Sequence, residues 1–220
     1  MDAVRAELTN MVESGVIKSM TEQTDWCAAM VPVIKKHRAV RISVDLKQLN
    51  TTVRREHHML PSREDIAPRL AESKVFMTLD AASGFWQIPI DEDSQLFTTF
   101  ITPFGRFAFC RLPFGISSAP EIFQCKMSTL LEGLDGVEVI MDDIRVHGRN
   151  REENDARLNA VLTIINDTGL KLKRRKCVFR KTELTYFGHL FWSPVVMASS
   201  PIQRGLNLYW SCHGRATLAN

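Results

Sequence analysis

Val137-Glu138-Val139-Ile140-Met141-Asp142-Asp143-Ile144-Arg145-Val146 places two adjacent carboxylates between short runs of Val and Ile. Such runs read as strands, and Asp is a common turn former, so the stretch predicts a tight hairpin with an acidic tip at Asp142 and Asp143. An isolated Asp pair is more simply a solvated turn. A second acidic strand end weighs against that reading: Val75-Phe76-Met77-Thr78-Leu79-Asp80 is an apolar run that stops on a carboxylate. If the strand and the hairpin are neighbours in one sheet, Asp80 and Asp142 converge on a shared pair of divalent cations. Hard oxygen donors of this kind favour Mg²⁺ or Mn²⁺. Two such ions, about 3.5 to 4 Å apart, activate an attacking oxygen and stabilise a leaving one in phosphoryl transfer.

The 220 residues, 45% of them hydrophobic, suffice for one large domain or two small ones with a real core. The formal net charge is only +3, yet basic side chains cluster at Lys35-Lys36-His37-Arg38, at Arg54-Arg55 and over residues 171–176. Any one cluster is usually a solvated face; their recurrence suits a polyanionic partner better than the net charge suggests. Cys27, Cys110, Cys125, Cys177 and Cys212 form no CxxC pair and have no His at zinc-ligand spacing. They read as reduced thiols of an intracellular protein, with cytoplasm and nucleus both open. The amino terminus lacks the apolar core of a signal peptide, and no stretch offers about 18 uninterrupted apolar residues for a membrane span.

Along the chain, Val4, Leu8, Met11 and Val12 fall at helical spacing before Gly15. Residues 28–33 and 40–45 predict two strands joined by a basic turn. A hairpin that projects Lys35, Lys36 and Arg41 into one space can hold a triphosphate, Arg through a bidentate fork and Lys as a point charge. A solvated basic hairpin explains the same residues equally well. A short helix with Ser62 as N-cap then feeds the strand that ends at Asp80. Residues 87–90 and 97–101 alternate as strands, Thr102-Pro103-Phe104-Gly105 is a turn, and Ser118-Ala119-Pro120 opens a helix. Residues 152–168 predict an amphipathic helix closed by Gly169, and residues 184–190 a last strand pair. The alternation predicts an α+β fold, an antiparallel sheet packed on helices.

Several stretches, in this order, resemble gypsy-type LTR-retrotransposon reverse transcriptases. They are Val44-Asp45-Leu46-Lys47-Gln48-Leu49-Asn50, Leu79-Asp80-Ala81-Ala82-Ser83-Gly84-Phe85-Trp86-Gln87-Ile88, Thr99-Phe100-Ile101-Thr102-Pro103-Phe104-Gly105, Leu112-Pro113-Phe114-Gly115 with Ser118-Ala119-Pro120 and Phe123-Gln124, Met141-Asp142-Asp143, and Phe187-Gly188-His189. The resemblance covers residues 2–190, and spaced motifs in one order are highly specific. It implies a right-hand polymerase fold, mostly fingers over residues 1–78 and mostly palm over residues 79–190, the two interleaving. It also implies that Asp80 and Asp142, with Asp143 as a third acidic group, bind two Mg²⁺ or Mn²⁺ ions. Their task would be attack of a primer 3′-hydroxyl on the α-phosphate of an incoming dNTP, on an RNA or DNA template. Phe85 resembles the aromatic gate under the sugar. Arg41, Lys36 and Lys35 match the region that contacts the triphosphate, Phe114 and Gly115 the nucleotide pocket, and Phe187, Gly188 and His189 the primer grip.

The sequence also departs from the family pattern. Ile140 stands where an aromatic residue is common, and His37-Arg38-Ala39 where a Gly is usual. After Leu190 the family would continue into a thumb, an RNase H and an integrase, whereas residues 191–220 match nothing in it. That tail is expected to be poorly ordered, a frameshifted or alternatively spliced end, and the chain a fragment of a polyprotein. A rival expectation is a catalytically silent relic that keeps the fold and weak nucleic-acid binding. A two-metal nuclease accounts for the carboxylates but leaves Phe85 and residues 112–115 unexplained.

Overall fold

Leu8 and Met11 are the buried positions of α1 (Asp2–Glu13), the amphipathic helix that the spacing predicts. The backbone turns at Gly15, φ +67°, a left-handed conformation that costs glycine little, and enters β1 (Ile17–Met20). The computed structural model describes residues 1–34, 40–55, 62–70, 72–186 and 189–192. Strands β2 (Ala28–Ile34) and β3 (Val40–Val44) pair antiparallel from Met30↔Val44 to Ile34↔Val40, as predicted. The basic turn between them, with Lys35 and Lys36, lies outside the described residues. Helix α2 (Lys47–Thr52) follows.

The described residues fall into two compact units, one drawn from residues 1–34, 40–55 and 83–123, the other from residues 62–70, 72–82, 124–186 and 189–192. The first is built on a five-stranded sheet of order β1-β6-β5-β2-β3, where β5 is Phe100–Thr102 and β6 is Gly105–Phe109. Its core joins Leu8 and Met11 to Ile17, Ile42, Val44, Phe100 and Phe109. Two predicted strands here are corrected. Residues 87–90 hold the end of a 3-10 turn (Gly84–Gln87) and one isolated bridge, Pro89↔Arg111. Residues 97–101 hold the end of α4 (Glu92–Phe97), and strand begins only at Phe100. Asp91 caps this helix by accepting from the Ser94 N–H at 2.8 Å, with Glu92 and Asp93 in the first turn where the helix dipole favours them. The hydroxyls of Thr98 and Thr99 donate back to the carbonyls of Gln95 and Leu96, each at 2.7 Å, and end it.

In the second unit, Ser62 caps α3 (Arg63–Leu70) reciprocally with Asp65: the Asp65 N–H donates to the Ser62 hydroxyl, and the Ser62 N–H and O–H donate to the Asp65 carboxylate. Strand β4 (Val75–Asp80) then pairs with β8 (Asp143–Gly148), which pairs with β7 (Val137–Ile140). With β9 (Val178–Lys181) the order is β7-β8-β4-β9, every pair antiparallel. One face carries Met77, Leu79, Ile144 and Val146 by strand alternation, and α6 (Arg151–Thr168) packs there through Leu158, Val161 and Ile165. On the opposite face Phe76 packs with Ile66, Leu70 and Ile140. Asn150 caps α6, and Gly169, φ +71°, ends it. Strands β10 (Glu183–Tyr186) and β11 (His189–Trp192) form a separate antiparallel pair. Helix α5 (Ala119–Leu130) is shared, its residues through Phe123 counted with the first unit. Among the described residues no helix is long and apolar enough to cross a membrane.

Candidate active site

The β4–β8 ladder puts Asp80 directly opposite Asp143. Both therefore lie on the sheet face away from α6, and Asp142 precedes Asp143 in the two-residue turn from β7. That turn is bound to the strand it faces: the Ala81 N–H donates to the Asp142 carbonyl at 2.9 Å. Met141 takes a left-handed backbone, φ +50°. Gln124, fully buried on α5, holds this conformation by accepting from the Met141 N–H and donating to the Val139 carbonyl, both at 2.8 Å. The strand end and the hairpin tip are thus neighbours in one sheet, with Asp143 directly opposite Asp80 and Asp142 in the adjoining turn.

The three carboxylates sit in different surroundings. Asp80 is nearly buried, and the Lys176 ammonium donates to its Oδ2 at 2.8 Å. Asp143 is more open and accepts from the Arg145 guanidinium at 3.4 Å. Burial pushes the Asp142 carboxyl above its ordinary range, the negative Asp80 adds to this, and Lys176 opposes it. Its Oδ1 is buried with no hydrogen-bond partner among the described residues. An orphaned carboxylate oxygen beside two further carboxylates suits a hard divalent cation, which would supply what the protein leaves unmet. As placed, however, no three His, Cys, Asp or Glu side chains among the described residues converge on one metal position.

In the first unit, Phe85 stands at the 3-10 turn after the acidic strand, its ring 5.0 Å from that of Phe114 and edge-on to Phe123 at 5.6 Å. The Arg41 guanidinium lies over the Phe114 ring, 4.4 Å from its centroid, a cation–π contact that fixes the end of a long side chain. Gly115, φ +102°, needs a backbone that other residues adopt only with strain. Asn50 clamps the following loop: its side-chain N–H donates to the Gly115 carbonyl at 2.7 Å, and its oxygen accepts from the Ser117 N–H at 2.8 Å. The structure thus brings Arg41, Phe85, Phe114 and Gly115 into one neighbourhood.

Phe187 and Gly188 lie outside the described residues, as do Lys35 and Lys36, and His189 opens β11 opposite Tyr186. Sequence reasoning did not single out Lys176, Gln124 or Asn50 for the site. A Gln among the apolar positions of a buried helix was the available sign for Gln124. Lys176 was one of a basic run and carried no individual mark.

A fold of this kind is found in a foamy viral protease–reverse transcriptase solved with double-stranded DNA, at a TM-score of 0.77 and 25% identity, over 86% of this chain and 33% of that one. The family model described as reverse transcriptase (RNA-dependent DNA polymerase) matches residues 31–191, and the chain belongs to that family. It is 30% identical over 205 residues to the retrovirus-related Pol polyprotein from transposon 297 of Drosophila melanogaster, covering 91% of this chain and 19% of that protein. Over 191 residues it is 29% identical to the transposon Tf2-3 polyprotein of Schizosaccharomyces pombe, covering 86% of this chain and 14% of that protein. The chain is therefore a reverse transcriptase domain of the kind carried by retrotransposon and retroviral polyproteins, and spans less than a fifth of the length of those two relatives.

Proposed function

We propose that the chain supplies the fingers and palm of a gypsy-type LTR-retrotransposon reverse transcriptase, extending a primer with dNTPs on an RNA or DNA template. The observation that carries the reading is the register of β4 on β8, which puts Asp80 opposite Asp143 with Asp142 in the adjoining turn. In this reading Asp80, Asp142 and Asp143 hold Mg²⁺, or Mn²⁺ in its place. Two such ions, when bound, supply charge stabilisation to the attacking and leaving oxygens of the α-phosphate. The protein's own part is positional. Gln124 fixes the turn that presents Asp142, and Arg145 restrains Asp143. Phe85, wedged against Phe114 and Phe123, is the surface against which a ribose 2′-hydroxyl would collide, and Arg41 offers a guanidinium fork to the triphosphate. Lys35 and Lys36 are assigned to the same triphosphate, and Phe187, Gly188 and His189 to the primer end, on the motif resemblance.

Mg²⁺-dependent primer extension by the purified chain on an RNA template tests the reading, with Asp142→Asn as control. Extension that the substitution abolishes is the expected result; extension that survives it removes the carboxylates from the chemistry. Duplex binding without any extension would leave a silent member of the family that keeps the fold.

A further inference from the structure

Lys176 closes the 3-10 turn Arg174–Lys176, which leads from α6 back to β9. Its main chain is pinned to Asp80 from behind: the Lys173 N–H donates to the Asp80 carbonyl at 2.8 Å, and the Lys176 N–H donates to the Lys173 carbonyl at 2.9 Å. A bridge between Ala81 and Leu172 ties the same segment to the next residue of the acidic strand. The ammonium then reaches Oδ2 of Asp80 at 2.8 Å. The root of Lys176 is therefore fixed beside Asp80, while its side chain stays 58% exposed. A four-carbon stem in that setting is free to rotate away into water.

We infer that Lys176 is a tethered competitor at the metal position, its ammonium and a divalent cation contending for the same Asp80 oxygen, so that metal binding requires the lysine to let go. The inference rests on reading Asp80 as a metal ligand. A carboxylate oxygen that receives an ammonium at hydrogen-bond distance cannot also accept a cation at ligand distance on the same side. Two further features fit. Among the described residues the acidic side chains do not converge as a ready ligand set, while Asp142 Oδ1 is buried without a partner. The ammonium also compensates the negative charge gathered at Asp80, at Asp143 directly opposite it and at Asp142 in the adjoining turn. Releasing it costs the site one compensating charge, and an arriving dication replaces that charge and adds another. The lysine thus sets a threshold, compensating the carboxylates until a metal ion displaces it.

Binding of Mn²⁺ to the full chain, followed by loss of the free-ion paramagnetic resonance signal with no nucleotide or nucleic acid present, tests this. Lys176→Met, which keeps the length and removes the charge, is expected to bind Mn²⁺ about three- to tenfold more tightly than the parent, a modest factor because the lysine is largely exposed. Lys176→Arg, which restores a cation, is expected to return the affinity to the parent value or below it. A Lys176→Met protein with unchanged or weaker Mn²⁺ affinity overturns the inference, including the case in which its melting temperature alone falls and Lys176 is only a structural ion pair. Asp142→Asn separates the two readings. If the parent binds Mn²⁺ and Asp142→Asn loses it while Lys176→Met changes nothing, the inference alone fails. If no form of the chain binds Mn²⁺, the proposed metal site fails and the inference falls with it.

Discussion

Met141 donates its backbone N–H to the side-chain oxygen of Gln124 at 2.8 Å, and the residue so held, φ +50°, is the one that presents Asp142. A non-glycine residue in the left-handed region costs about 1–2 kcal/mol, so the turn depends on what restrains it. Gln124 is that restraint, with no exposed surface of its own and its amide nitrogen on the Val139 carbonyl. Gln124→Leu keeps the bulk but leaves a buried carbonyl unmet, at about 1–3 kcal/mol, and a part-buried N–H unmet at less than that. The expected result is a lower urea midpoint together with primer extension reduced beyond the loss of folded protein. Denaturation and extension measured on the same samples check it, and extension that merely tracks the folded fraction would confine Gln124 to stability.

Phe85 makes its ring contacts with Phe114 and Phe123, so the wall of the proposed sugar pocket is also part of an aromatic cluster. Phe85→Val removes ring volume and the edge-on contact, which destabilises by about 1–3 kcal/mol. It also opens space where a 2′-hydroxyl would otherwise collide, and steric exclusion of that size is worth about 1–3 kcal/mol of discrimination. Incorporation of rNTP relative to dNTP should therefore rise about ten- to a hundredfold. Competition between the two substrates measures the ratio, and an unchanged ratio assigns Phe85 to packing alone.

How much of this was legible in the sequence depends on the range of the interactions that fix each element. The strand 75–80 and the acidic hairpin could be read because their apolar runs and turn residues are local, whereas their pairing entered the reading only as a condition and is fixed by the long-range register of β4 on β8. Residues 97–101 misled because Phe97-Thr98-Thr99-Phe100-Ile101 is an unbroken run of aromatic and β-branched residues, the composition of a strand, whereas the cap at Asp91 and the threonine back-bonds decide for helix up to Phe97. Lys176 could not be read as a partner of Asp80, because the contact spans 96 residues and depends on where β9 joins β4. The cation–π contact of Arg41 with Phe114 is likewise set by tertiary packing and left no local trace.

Gly148, at the end of β8, has no room for a side chain: a Cβ there would lie 2.9 Å from the backbone nitrogen of Asn154 in α6. Asn154 is wholly buried and donates to the carbonyls of Val75 and Val146, at 3.1 and 3.2 Å, so it cannot retreat without breaking the junction of helix and sheet. Gly148→Ala is expected to destabilise the second unit by about 1–3 kcal/mol, the usual cost of overpacking. A drop in the urea midpoint at unchanged slope measures it. A midpoint equal to that of the parent would mean that α6 can shift on the sheet without cost.

Asp142 gives the clearest dependence on pH, because burial and the neighbouring Asp80 raise its carboxyl in the folded protein. A raised acid binds its proton more readily folded than unfolded, so ionisation of Asp142 opposes folding. Its stabilising effect is fully present below the unfolded value of about 3.9 and is lost as pH rises through the folded value. Asp142→Asn removes the ionisation, so with no divalent cation added it should melt higher than the parent near neutrality. The advantage should shrink as pH falls through the carboxylate range and vanish below it. Added Mg²⁺ should stabilise the parent, by binding the folded carboxylates, and leave Asp142→Asn nearly unmoved. Melting curves from acid to neutral pH, with and without Mg²⁺, test both parts. A variant no more stable than the parent near neutrality would mean that the carboxylate's charge is already compensated there, most directly by Lys176, whose ammonium lowers the same group. The double variant Asp142→Asn with Lys176→Met distinguishes the cases: if Lys176 supplies the compensation, removing it from the parent costs more stability than removing it from Asp142→Asn.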